Sequence, residues 1–193
     1  LSAYNNGYKT WGGGYKAWGG GYKAWGGGGT TAPTTFTENQ TLWSIIRLTQ
    51  GQNLAPNLGR GVKVAVIDSG IDTTHPAFAG KLAPSSEWKD FVGNDSNPQE
   101  VSGGKGYGHG TAVAGVILQV APNAVILPIR VLEPDGTGDL DKVVLAVDWA
   151  IQKGAKIINF SLGTDTNLKA FADILVVARD RGIAVTASSG NNG

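Results

Sequence analysis

Cysteine and methionine are both absent from this chain of 193 residues. Without cysteine there can be no disulfide, no thiolate metal site and no thiol nucleophile, although the absence fixes no redox compartment. The chain opens at Leu1 and holds no methionine, so it is expected to be part of a longer or processed product. No run of 18 apolar residues occurs and no basic-then-apolar leader opens the sequence, so neither a membrane-spanning helix nor a signal peptide is read. Charge of one sign is missing too: 16 Lys and Arg face 15 Asp and Glu, a formal +1. Even that excess is local. Lys9, Lys16 and Lys23 stand in the first 35 residues with no acid, which leaves 13 bases against 15 acids, a formal −2, in the rest. Neither a nucleic acid nor a membrane is therefore an expected partner.

What is present is 41% apolar and 16% charged residues, enough for one globular domain of ordinary size. The N-terminus is different. A seven-residue period runs through Tyr8-Lys9-Thr10-Trp11, Tyr15-Lys16-Ala17-Trp18 and Tyr22-Lys23-Ala24-Trp25, separated by glycines, and the segment holds 11 of the chain's 30 glycines. Three glycines per unit cost roughly 1 kcal/mol each in a helix, which excludes a coiled coil. Residues 1–35 read as a Gly/Tyr/Trp-rich tail or linker, and its regularly spaced rings could stack on sugars, so a polysaccharide is its candidate partner. Residues 36–193 form the body.

In the body, apolar β-branched runs alternate with amphipathic segments. Val62–Ile67, Val125–Leu132, Lys156–Phe160 and Ile183–Ala187 read as strands buried on both faces. Pro128 lacks a ladder donor and predicts a bulge or an edge in the second of them. Leu42–Leu48 reads as a short helix. Leu140, Val143, Val144, Val147 and Ile151 mark another, and Leu168, Phe171, Ala172 and Leu175 a third; glycines 154 and 182 close these two. This alternation predicts an α/β fold: a parallel, doubly wound sheet with helices on both faces. Chemistry in such sheets gathers at the carboxyl ends of the strands. Those ends carry Asp68-Ser69-Gly70, Ser161-Leu162-Gly163 and Ser188-Ser189-Gly190-Asn191.

The only histidines are His75 and His109. His75 precedes a proline in a polar turn and reads as structural. His109 lies between Gly108 and Gly110, ahead of Thr111-Ala112-Val113-Ala114-Gly115, whose small side chains allow a helix to pack tightly. At a helix N-terminus the dipole favours the neutral imidazole, as a general base requires, unless a carboxylate offsets it. Asp68, rigid at the end of a buried strand, could be that carboxylate.

Val64-Ala65-Val66-Ile67-Asp68-Ser69-Gly70-Ile71-Asp72, followed by Gly108-His109-Gly110-Thr111-Ala112-Val113-Ala114-Gly115, resembles the subtilases, the subtilisin-like serine proteases. The resemblance runs from about Trp43 to the last residue. It implies a serine endopeptidase acting on polypeptides, with Asp68 the orienting carboxylate and His109 the general base. It further implies that Asp135-Gly136-Thr137-Gly138 and Ser161-Leu162-Gly163 flank the substrate backbone, and that Ser188-Ser189-Gly190-Asn191 carries the oxyanion donor, Asn191. Leu162 resembles the subtilisin and thermitase-like branches rather than the kexin-like one. Secretion and a propeptide partner are implied by the family alone.

Two departures stand out. The Gly-Thr-Ser segment that carries the family's nucleophile is missing, so the chain is expected to be the N-terminal part of a catalytic domain, truncated at its C-terminus and inactive alone. Ala77 stands after His75-Pro76 where many subtilases place a calcium-binding Asp, and Asp135, Asp139 and Asp141 miss the EF-hand spacing, so no cofactor or metal is assigned, and calcium elsewhere is left open by the resemblance alone. Asp139 reads as a helix cap. Two other classes compete. A Rossmann nucleotide-binding enzyme would need Gly-x-Gly-x-x-Gly after the first strand, where Asp68-Ser69-Gly70 stands instead. A non-catalytic, protease-like binding protein would use the aromatic tail to hold carbohydrate or cell wall.

Overall fold

The computed structural model describes residues 39–55, 57–164 and 167–188; the tail assigned to residues 1–35 lies outside them. In chain order the elements are α1 (Gln40–Ile45), α2 (Leu48–Leu54), β1 (Lys63–Asp68), β2 (Lys89–Asp90), α3 (His109–Val120), β3 (Val125–Arg130), α4 (Leu140–Gln152), β4 (Ile157–Phe160), α5 (Lys169–Asp180) and β5 (Ala184–Ala187), with short 3-10 turns at Pro76–Phe78 and Ser85–Glu87. The five strands form one sheet in the order β2-β3-β1-β4-β5. Every pairing is parallel, so all the strands end on the same edge.

Alternation along β1 divides the core in two. Ala65 and Ile67 pack with Leu127, Ile129 and Ile158 against Val143, Ala146, Val147 and Ala150 of α4 and Ala178 of α5. Val64 and Val66 turn the other way, toward Ile126, Ile71, Phe78 and Ala114 of α3. Both faces are thus covered, as a parallel sheet requires, and each fully buried Val, Leu or Ile contributes roughly 1.5–3 kcal/mol. The α/β architecture read from the sequence is the one observed.

Several local expectations need amendment. Pro128 makes no bulge: β1 and β3 pair without interruption from Lys63↔Val125 to Asp68↔Arg130. Val125 and Val131 donate toward β1 and Ile126 donates to Lys81 on the other side, so Pro128, of the same parity as Ile126, turns its missing donor away from β1. There it meets the gap between the Leu82↔Ile126 bridge and the Lys89↔Ile129 pair. The helix expected at Leu42–Leu48 is broken in two by Arg47, whose φ of 55° is left-handed. The N-terminal pieces are held to the end of α3 by side chains: Asn39 Nδ2 and Trp43 Nε1 donate to Gln119 Oε1, and Gln52 Nε2 donates to the Gln119 carbonyl. Asp139 occupies the position before α4 but makes no capping bond, pairing instead with Lys142 at 3.2 Å.

Candidate active site

Asp68 is the last residue of β1 and shares the parity of Val64 and Val66, so its side chain emerges on the α3 side of the sheet. Its carbonyl accepts from Val131, which fixes the strand end. The helix comes very close here. A Cβ at Gly110 would lie 2.0 Å from the Gly70 carbonyl oxygen and 3.2 Å from Asp68 Cβ, so no larger residue fits in the first turn of α3. Gly108, by contrast, has open space around it; it is needed because the residue preceding the helix has φ 86°. Of the two glycines that flank His109, only Gly110 serves close approach.

This packing puts His109 Nδ1 2.6 Å from Asp68 Oδ1. The Asp68 side chain is 1% exposed, whereas the imidazole side chain keeps 26% of its surface accessible. Ser69 N–H donates to the same Asp68 oxygen at 2.7 Å, while Asp68 Oδ2 is buried with no hydrogen-bond partner among the described residues. With Nδ1–H donated to Asp68, the ring's lone pair is on Nε2, the tautomer a general base needs. Burial pulls the His109 pKa down, but the Asp68 charge and hydrogen bond, with a further contribution from the charge of Glu100, outweigh it and hold the value above 6.5.

Beneath the pair lies a carboxyl group that sequence reasoning missed. Glu100 is 6% exposed and accepts hydrogen bonds from Ser69 Oγ at 3.1 Å, Thr111 N–H at 3.3 Å and Thr111 Oγ1 at 2.7 Å. Ser69 Oγ also accepts from Gly110 N–H at 3.1 Å, so its hydroxyl is engaged within the structure. The only available signal was indirect: Ser69 and Thr111, polar residues within two positions of the pair, needed buried partners.

The other predicted segments converge on the same sheet edge. Ile67 is in register with Phe160 and Phe160 with Ala187, so Asp68, Ser161 and Ser188 emerge side by side from β1, β4 and β5. Ser188 N–H donates to the Phe160 carbonyl at 3.1 Å, and Asn159 Nδ2 donates to Ser161 Oγ at 3.1 Å. Leu162 is buried in the core beside Phe160. The Gly136-Thr137-Gly138 loop is joined to the segment before His109, where Gly106 N–H donates to the Pro134 carbonyl at 2.8 Å and a Cβ at Gly106 would lie 3.0 Å from Gly136 Cα. Gly138 has an internal reason for its lack of a side chain, since a Cβ there would meet Leu132 Cδ2 at 2.7 Å and the Val131 carbonyl at 2.8 Å. Ser189, Gly190 and Asn191 lie outside the described residues.

His75 is built into a turn: its Nδ1 accepts from Ala77 N–H at 3.2 Å, its ring packs on Phe78, and burial lowers its pKa against the opposing charge of Asp72. Among the described residues no three His, Cys, Asp or Glu side chains are grouped so as to hold a metal.

Fold and site together define an α/β protein with an acid–base pair, a buried Asp holding a partly exposed His, at the carboxyl edge of a parallel sheet. The chain belongs to the subtilase family, whose model matches residues 59–193. It is 37% identical over 145 residues to thermitase of Thermoactinomyces vulgaris, covering 70% of this chain and 49% of that protein. To subtilisin E of Bacillus subtilis (strain 168) it is 38% identical over 144 residues, covering 70% of this chain and 35% of the relative. Among solved structures it is similar to a cold adapted subtilisin-like serine proteinase, with a TM-score of 0.59 at 33% identity over 69% of this chain and 48% of that one. A lanthipeptide protease gives a TM-score of 0.68 at 27% identity, over 81% and 48% of the two chains. The chain thus spans about a third to a half of the length of these proteins.

Proposed function

We propose that residues 36–193 are the N-terminal part of the catalytic domain of a secreted serine endopeptidase, whose nucleophilic Ser comes from outside residues 1–193. The observation that carries this reading is the 2.6 Å contact between His109 Nδ1 and a fully buried Asp68 at the carboxyl edge of the sheet. His109 Nε2 takes the proton of the Ser hydroxyl as its oxygen attacks the scissile carbonyl, and Asp68 stabilises the resulting imidazolium. The same proton passes to the leaving amine as the tetrahedral intermediate collapses to an acyl-enzyme. Water then enters by the reverse route, activated by His109, and releases the acid. Asn191 is assigned to the oxyanion through a side-chain N–H, a contribution of ~10²–10³ in turnover where such donors operate. Gly136-Thr137-Gly138 on one side, and Ser161-Leu162-Gly163 with Ser188-Ser189-Gly190 on the other, are assigned to the polypeptide substrate. Secretion is supported by the relatives, one of them, 37% identical over 147 residues, being the minor extracellular protease Vpr of Bacillus subtilis (strain 168).

The reading is tested in the complete protein with a chromogenic peptide. His109→Ala is expected to lower kcat by on the order of 10⁴ or more while leaving the melting transition in place. Turnover within tenfold of the wild type would remove His109 from the mechanism.

A further inference from the structure

Glu100 joins the two elements that carry the Asp68–His109 pair. Ser69, which donates to Glu100, directly follows Asp68; Thr111, which donates to it twice, comes two residues after His109. The two donors are linked to the same turn by further bonds, Gly110 N–H to Ser69 Oγ and Asp72 N–H to Thr111 Oγ1 at 2.8 Å. One carboxyl group therefore closes a ring of hydrogen bonds between the end of β1 and the first turn of α3. Across this ring the charge of Asp68 from β1 acts on Glu100, and the charge of Glu100 acts on His109 from α3. A neutral amide of the same length could keep much of the ring, because both hydroxyls can rotate to donate or accept. It would not supply negative charge beneath the imidazole.

We propose that Glu100 is a positioning residue of the Asp68–His109 pair, locking β1 to α3 through Ser69 and Thr111 and lending its negative charge to the imidazolium. Its significance for catalysis rests on the peptidase reading above. Burial, only partly offset by the Thr111 and Ser69 hydrogen bonds and reinforced by the Asp68 charge, raises the Glu100 pKa to about 7. Its charge therefore changes across the same pH range in which a histidine changes.

The test is an NMR titration of the His109 ring in the complete protein, with the pH dependence of kcat/KM measured beside it. Glu100→Gln is expected to move the His109 midpoint down by at least ~0.5 pH unit and to carry the acid limb of kcat/KM with it. A folded Glu100→Gln variant with an unchanged His109 midpoint would overturn the proposal. Should that variant not fold, Thr111→Val removes one donor but leaves the carboxyl. The carboxyl then holds its proton to higher pH, so the His109 midpoint again falls; an unchanged midpoint here also overturns the proposal. The NMR readout needs no turnover. A Glu100-dependent midpoint in a protein that cleaves no peptide would therefore sink the peptidase reading alone, and a Glu100-independent midpoint in an active protease would sink this inference alone.

Discussion

β1 and β5 are made of similar residues and lie in one parallel sheet, yet their surroundings are opposite. From Val64 to Asp68 every residue of β1 is buried, whereas all four residues of β5 are exposed, Val185 at 36%. β1 is flanked by β3 and β4 and covered by helices on both faces; β5 pairs with β4 alone among the described residues. Among the described residues, position in the sheet rather than strand composition decides which strand is buried. The site follows that rule: the residue that needs a fixed orientation, Asp68, sits at the end of the middle strand.

The contrast can be broken by cutting both strands back. In the 193-residue chain by itself, Ile67→Ala, at a fully buried position, is expected to cost about 2–5 kcal/mol in denaturant unfolding, whereas Val185→Ala should cost under about 1 kcal/mol. Similar costs for the two would mean that β5 is as well supported as β1.

The contrast is sharpened by pH, because the central site holds titratable groups that burial has shifted. Burial raises the Glu100 pKa in the folded protein from 4.5 to about 7. Below pH 4.5 both folded and unfolded chains hold that proton; between 4.5 and about 7 the unfolded chain has lost it while the folded chain retains it. Stability should therefore fall as pH rises through this window, by at most about 3 kcal/mol. His109, whose folded pKa is raised, acts in the same sense: its stabilisation is complete below its unfolded pKa and lost as pH climbs through the folded one. His75, lowered by burial, acts in the opposite sense. Unfolding curves at a series of pH values should show a decline for the wild type and a flatter profile for Glu100→Gln. A decline that persists undiminished in that variant would assign the effect to other groups.

The strands and the α4 and α5 helices were legible because burial on two faces writes a continuous apolar run and burial on one writes a helical period. Asp68 and His109 were legible because each lies in a contiguous motif. Glu100 was not, since its meaning comes from contacts 31 residues back to Ser69 and 11 residues forward to Thr111, and a Glu in a polar loop carries no local mark of burial. The break at Arg47 escaped notice for a related reason: a left-handed arginine leaves no pattern in an apolar period. Pro128 signalled a missing donor correctly, but only the pairing partners on each side show where that gap is tolerated. At Gly138 the structure adds a reason for glycine that the sequence could not show, since a Cβ there would meet Leu132 and Val131.

The central claim, that the Asp68–His109 pair serves a serine nucleophile, is tested most directly by treating the complete protein with a fluorophosphonate and locating the adduct by peptide mass spectrometry. The expected result is one labelled Ser outside residues 1–193, with labelling strongly reduced in His109→Ala. No adduct on the folded wild-type protein, or equal labelling with and without His109, would contradict the account.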